Sequence, residues 1–139
     1  MVLDLSSLQK AVNSLEKSIK VASSFIKGIV NTDQEEVIRA GVIQNYEITY
    51  ELCWKFMKRW LEINVGGAGI DGVTRKELFR MAAESRLITN IEKWYEYNKS
   101  RNEIAHTYDQ AKAENVYATA SVFVIDAKAL LKVLEAKND

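Results

Sequence analysis

Apolar residues recur along this chain at steps of three and four over long, Pro-free segments, the spacing of one face of an α-helix. The first such segment runs from about Leu5 to Lys27, with Leu8, Val12, Leu15, Ile19, Ala22 and Ile26 on the stripe and Gly28 as its stop. Asn31, Thr32 or Asp33 caps a second helix, where Glu35 and Glu36 sit in the first turn and the helix dipole favours negative charge. That helix, from about Gln34 to Ile63, would span roughly 45 Å. It is apolar around much more than one stripe: Val37, Ile38, Val42, Tyr46, Ile48, Tyr50, Leu52, Trp54, Phe56, Met57 and Trp60 leave only a narrow polar line through Gln44, Glu47, Glu51, Lys55, Lys58 and Glu62. A helix with that pattern is either central in its own bundle or covered in part by a second chain, which suggests a homodimer.

A glycine-rich stretch, Asn64 to Gly72, follows. It contains G-x-G-x-x-G from Gly67 to Gly72 but follows a helix and lacks the Lys and Ser/Thr of a phosphate loop, so it reads as a plain connection. Thr74-Arg75-Lys76-Glu77 has the form of a capping box and opens a short third helix to about Glu84. A fourth helix is predicted from about Asn90 to Tyr108 and a fifth from about Ala111 to Lys137. The expected fold class is all-α: an up-and-down bundle of about five helices, four-helix-bundle-like, forming one domain over residues 1–139.

Composition narrows the function. With 139 residues the chain can bury a core without disulfides or a structural metal. Lys+Arg and Asp+Glu balance at 19 each, which excludes a broad electrostatic grip on nucleic acid or on an anionic membrane. The balance is uneven along the chain: residues 51–101 carry 10 basic and 7 acidic groups, while the segments before and after sum to −1 and −2. A local cationic cleft is therefore permitted. One Cys, Cys53, cannot form an internal disulfide, and one His, His106, cannot build a zinc site of two or three histidines. No metal site and no cofactor are expected. No signal-peptide pattern and no run of about 18 apolar residues occurs, and the expected location is the cytoplasm, with no membrane partner.

The chemistry gathers in the fourth helix, in Trp94-Tyr95-Glu96-Tyr97-Asn98-Lys99-Ser100-Arg101-Asn102-Glu103-Ile104-Ala105-His106-Thr107-Tyr108. On a continuous helix Trp94, Tyr97, Ile104 and Tyr108 fall within about 60° of Arg101, so the guanidinium rises from an aromatic stripe. An Arg there stacks on rings, pairs with a carboxylate or lines a pocket for an anion, because burial without a partner costs several kcal/mol. Asn102 and His106 are neighbours at i, i+4, so the amide could orient the imidazole. Two readings stay open. In the structural one Arg101 stacks on Trp94 or Tyr97 and pairs with a carboxylate such as Glu47, while His106 ends the helix. In the functional one the same residues form a site.

Arg101-Asn102-Glu103-Ile104-Ala105-His106-Thr107-Tyr108 fits the R-x-x-x-x-H-x-Y pattern of the HEPN superfamily, with the usual polar residue after the Arg. The chain resembles the small all-helical branch called nucleotidyltransferase substrate-binding proteins, which overlaps the HepT toxins. The resemblance extends to Gln44, Tyr46-Glu47 and Trp54-Lys55, to the segment Thr74 to Arg80, and to Leu87-Ile88 followed by Trp94. It implies a dimer that brings the Arg and His of two subunits to a shared cleft, and a separate small nucleotidyltransferase as partner, encoded alongside. Two activities follow from it. One is a substrate-binding subunit, in which Arg101 and His106, joined by Asn102, Glu47 and Lys55, grip an anionic or nucleotide-like ligand. The other is a metal-independent ribonuclease of toxin–antitoxin type, in which Arg101 and His106 are catalytic and Tyr108 is adenylylated by the partner. A plain dimeric interaction module, in which the motif serves packing alone, is the alternative from another class.

Overall fold

The computed structural model describes residues 2–26, 32–66 and 69–138. Five helices follow one another: α1 (Ser6–Phe25), α2 (Asp33–Asn64), α3 (Arg75–Glu84), α4 (Ile91–Glu103) and α5 (Gln110–Ala136), with a single 3-10 turn (Ile104–His106) between the last two. The fold is all-α, as the periodicity predicts. Side-chain caps start four of the helices, three of them before the motif. Thr32 Oγ1 accepts from Glu35 N at 3.1 Å, Thr74 Oγ1 from Glu77 N at 3.2 Å, and Asn90 Oδ1 from Lys93 N at 3.3 Å, each satisfying a backbone donor that the first turn leaves without an intrahelical partner. Gly28 and Asn31, the expected stop and one expected cap, lie outside the described residues, as does Gly67.

α2 is the organising element. It packs against α1, α3, α4 and α5, which accounts for the apolar residues around most of its circumference. Consecutive helices are neighbours, and α5 closes the bundle against α1 and α4. The glycine-rich stretch is a connection after α2. Gly66 (φ 75°) and Gly72 (φ 79°) occupy the left-handed region that glycine adopts without steric cost, and Gly66 N–H closes the end of α2 on Leu61 O at 3.0 Å.

The core is aromatic at its centre. Phe123 of α5 meets Tyr46 and Tyr97 edge-on with ring centroids 5.0 Å away, and Trp94 at 5.7 Å. The two tyrosines keep their hydroxyls satisfied: Tyr46 donates to Tyr97 O at 2.5 Å, and Tyr97 donates to the Asp126 carboxylate. Burial pushes the phenols of both upward, and for Tyr97 the hydrogen bond to Asp126 adds to the rise. Trp94 and Tyr97 are therefore core residues, and neither carries Arg101 on its ring. No helix among the described residues is long and apolar enough to cross a membrane.

Candidate functional site

The fourth helix stops earlier than its apolar spacing predicts. α4 ends at Glu103, and the motif passes from helix to 3-10 turn and ends one residue before Asp109, the cap of α5. Local hydrogen bonding explains the break. Thr107 donates Oγ1–H to Ile104 O at 3.0 Å, Asp109 N–H reaches His106 O at 3.1 Å, and Asp109 Oδ1 accepts from Lys112 N at 3.2 Å to start α5. Thr107 and Asp109 are the residue types that compete with helix for backbone partners, and they are the signal in the chain that locates this end.

The break corrects two expectations. A 3-10 turn advances each residue by more than an α-helix does, so the azimuth of a continuous helix no longer describes Tyr108, which stands 86% exposed. For the same reason the i, i+4 relation of a continuous helix does not describe Asn102 and His106; both are exposed. The imidazole instead has the Tyr108 ring beside it, edge-on at 6.2 Å between centroids.

Arg101, in the last turn of α4, faces the polar line of α2. Its Nε donates to Glu51 Oε1 at 2.9 Å, and its Nη2 lies 3.4 Å from Glu47 Oε2. The hydrogen bond to Glu51 raises the Arg101 pKa against the opposing effect of burial. Glu51 is the better held carboxylate. Its second oxygen accepts Trp54 Nε1–H at 2.8 Å. Burial pushes its carboxyl upward, but the hydrogen bonds from Arg101 and Trp54, with the charges of Arg101 and Arg75, outweigh that and leave its pKa below the ordinary value. The pairing with Glu47 is the one foreseen from the sequence, without stacking on Trp94 or Tyr97. The pairing with Glu51 was readable only as a position on the polar line, one turn after Glu47.

Next to this cluster Tyr50 donates its hydroxyl to Asn98 Oδ1 at 2.7 Å, tying α2 to α4 one turn before Arg101. Lys55 is exposed and its Nζ lies 5.7 Å from the centre of the Trp54 ring, so it stands at the edge of the cluster on the side away from His106 in the chain. On the other side a groove of about 440 Å³ opens between the first half of α2, the Ile104–His106 turn and the start of α5. Ile43 and Ile104 give it an apolar floor, Arg39, Gln44 and Glu47 supply polar groups, and Tyr108 stands on its wall. Glu47 thus belongs both to the groove and to the Arg101 pair. Among the described residues no group of three or more His, Cys, Asp or Glu side chains is placed to hold a metal ion. Cys53 is buried and its thiol is pushed up by burial, which makes it a core residue rather than a nucleophile.

Comparison with known proteins gives this arrangement a setting. Residues 3–136 match the family model described as nucleotidyltransferase substrate binding protein like. A Haemophilus influenzae protein named probable ribonuclease HepT is 36% identical over 140 residues, covering 98% of this chain and 94% of its own. A solved Haemophilus influenzae structure, described as revealing the fold of a substrate binding domain of a nucleotidyltransferase, superposes with a TM-score of 0.84 at 34% identity, over 95% of this chain and 99% of that one. A crystal structure from Thermus thermophilus shares the fold, with a TM-score of 0.73 at 22% identity over 91% of this chain and 98% of that one.

Proposed function

The chain belongs to the nucleotidyltransferase substrate binding protein-like family, and on that premise we propose that it is the helical partner of a small nucleotidyltransferase, with its working site at Arg101. The observation that carries this reading is the placement of Arg101. Its guanidinium is held at the surface by Glu51 and Glu47, with side-chain exposure of 32%, beside a groove whose wall bears Tyr108. A cation fixed in direction yet open to solvent is suited to a phosphoryl group, which presents the paired oxygens that a guanidinium fork matches. Asn102 and Lys55 are the polar side chains that would widen the contact, and the site belongs to a nucleotide or RNA ligand. The protein acts in the cytoplasm as a homodimer. Val37, Ile125 and Phe25 support the dimer, since they leave large apolar side chains exposed on α1, α2 and α5.

The name of the 36% identical relative, probable ribonuclease HepT, favours a second, compatible reading, a ribonuclease, and the family resemblance of the motif extends it to a metal-independent enzyme in a toxin–antitoxin pair. His106 takes the proton of a ribose 2′-hydroxyl, the 2′-oxygen attacks the adjacent phosphorus to form a 2′,3′-cyclic phosphate, and the P–O5′ bond breaks as the 5′-oxygen takes a proton from water. Arg101 offsets the charge that builds on the phosphorane oxygens. Such chemistry cuts RNA and spares DNA, which lacks the 2′-hydroxyl. Tyr108 suits adenylylation because its ring is exposed: its oxygen attacks the α-phosphorus of ATP and pyrophosphate leaves. The bulky adduct would stand beside His106 and at the mouth of the groove.

RNA cleavage by the wild type and by His106→Ala tests the ribonuclease reading, and equal rates remove His106 from the mechanism. Incubation with the partner enzyme, ATP and Mg²⁺, followed by an intact mass, tests the modification. An unchanged mass counts against the toxin–antitoxin pairing, whereas loss of ligand binding in Arg101→Ala still supports the substrate-binding one.

A further inference from the structure

Arg75 lies outside the R-x-x-x-x-H-x-Y motif and on a different helix, α3, yet the fold delivers it to the Arg101 cluster. Its guanidinium carbon sits 3.5 Å from the centre of the Trp54 ring, a close cation–π contact. Trp54 in turn donates to Glu51 Oε2, and the other oxygen of Glu51 accepts from Arg101. The charge of Arg75 is felt at both neighbours on α2: it helps to lower the carboxyl of Glu51, and it opposes the rise that burial imposes on the Tyr50 phenol. Among the described residues Arg75 Nε is buried with no hydrogen-bond partner, and the side chain is held by its ring contact, by a side-chain hydrogen bond with Tyr50 and by charge.

Arg101 therefore pairs with two carboxylates, while Arg75 acts on Glu51 through its charge and through Trp54. A phosphoryl group that binds Arg101 has to displace a carboxylate from it, and the two are not equivalent. Glu47 approaches at 3.4 Å, beyond ordinary hydrogen-bond length, and is the more exposed at 36% against 28%. Glu51 accepts two hydrogen bonds at 2.8 and 2.9 Å. Glu47 is the partner that gives way. Glu51 stays, provided that a second cation balances it once Arg101 shares its charge with the ligand.

We propose that Arg75, seated on Trp54, is a positioning residue that anchors Glu51 so that Arg101 presents its Nη edge to a phosphoryl group, with Glu47 as the displaceable carboxylate. The proposal rests on the reading of Arg101 as a phosphoryl-binding group. Neither Arg75 nor Trp54 touches the ligand in it, so both act through Glu51.

The test uses the full chain, titrated with 5′-AMP and separately with the dinucleotide ApA, so that a terminal phosphate and a phosphodiester are distinguished as the source of the phosphoryl group. The readouts are affinity and the side-chain ¹⁵N–¹H resonance of Arg101 Nε. Arg75→Gln is expected to weaken binding of the preferred ligand roughly tenfold, the scale of one charge-assisted contact, and to shift the Arg101 Nε resonance before any ligand is added. Glu47→Gln is expected to act in the opposite direction and tighten binding. If Arg75→Gln fails to fold, Arg75→Lys serves instead: it keeps the charge beside Glu51 without the planar stack, so it should still shift the Arg101 resonance and weaken binding by a smaller factor. An unshifted resonance and unchanged affinity in the folded Arg75 variant, with binding still abolished by Arg101→Ala, overturn the role of Arg75 and leave the phosphoryl site standing. Binding unchanged in Arg101→Ala overturns the reading of the site itself.

Discussion

The aromatic centre and the Arg101 cluster share α2 and α4, and they differ by one residue around α2 and by one turn along α4. On α2, Tyr46 and Tyr50 are buried against the core while the next residues, Glu47 and Glu51, reach Arg101. On α4, Trp94 and Tyr97 meet Phe123 while Arg101, one turn further on, faces α2 at the surface. A step of about 100° is enough to move a side chain from a medium of rings to the rim of the bundle. The core region contributes stability through packing and satisfied hydroxyls. The polar region, about a third exposed, contributes little stability and is free to exchange partners. Tyr46 and Tyr50 also couple the two, since their hydroxyls reach α4 at Tyr97 O and Asn98 Oδ1 and set its distance from the Glu47 and Glu51 carboxylates.

The sharpest break in that comparison should come from Phe123→Ala. Removing the ring that four aromatic neighbours share should cost about 3–5 kcal/mol in urea unfolding. A cost below about 1 kcal/mol would mean that the centre is not where stability resides. Tyr97→Phe keeps the ring and removes the donor to Asp126, and about 1–3 kcal/mol should be lost, with the far-ultraviolet circular dichroism unchanged. Arg101→Ala should shift stability by less than about 1 kcal/mol, because its ion pairs are a third exposed, while ligand binding disappears. A large loss of stability would place Arg101 with the packing residues and favour the interaction-module reading.

The smallest effect is one of pH. The carboxyl of Glu51 is depressed in the folded protein, so its contribution is present above the unfolded value near 4.5 and is lost as pH falls through the folded value. The stability gap between wild type and Glu51→Gln should therefore be constant near neutrality and close on acidification below about pH 4.5. A gap that instead closed between pH 6 and 8 would assign the effect to another group.

Much of this was legible in the chain, for identifiable reasons. The stripe of α1 and the caps at Thr32 and Thr74 are local signals that tertiary packing had no cause to override. The motif itself placed Arg101, His106 and Tyr108, and the polar line of α2 contained both carboxylates that hold Arg101. The end of α4 was misplaced because the apolar spacing continues through Ile104 and Tyr108, whereas the backbone answers to Thr107 and Asp109. Extending the helix put Tyr108 on the face of Arg101 and Asn102 under His106, and both placements rest on a continuous helix that ends instead at Glu103.

From the sequence alone come the class of fold, the helix starts and the identity of the motif, since each depends on periodicity or on residues within a turn of one another. The tertiary structure decided which residues share the site. Glu51 was chosen over other members of its polar line because the packing of α4 on α2 puts Arg101 opposite it, at 2.9 Å. Arg75 joined only because α3 folds back on α2 and lays its guanidinium on Trp54. No spacing along the chain encodes that approach, because it is set by how two helices meet rather than by the period of either.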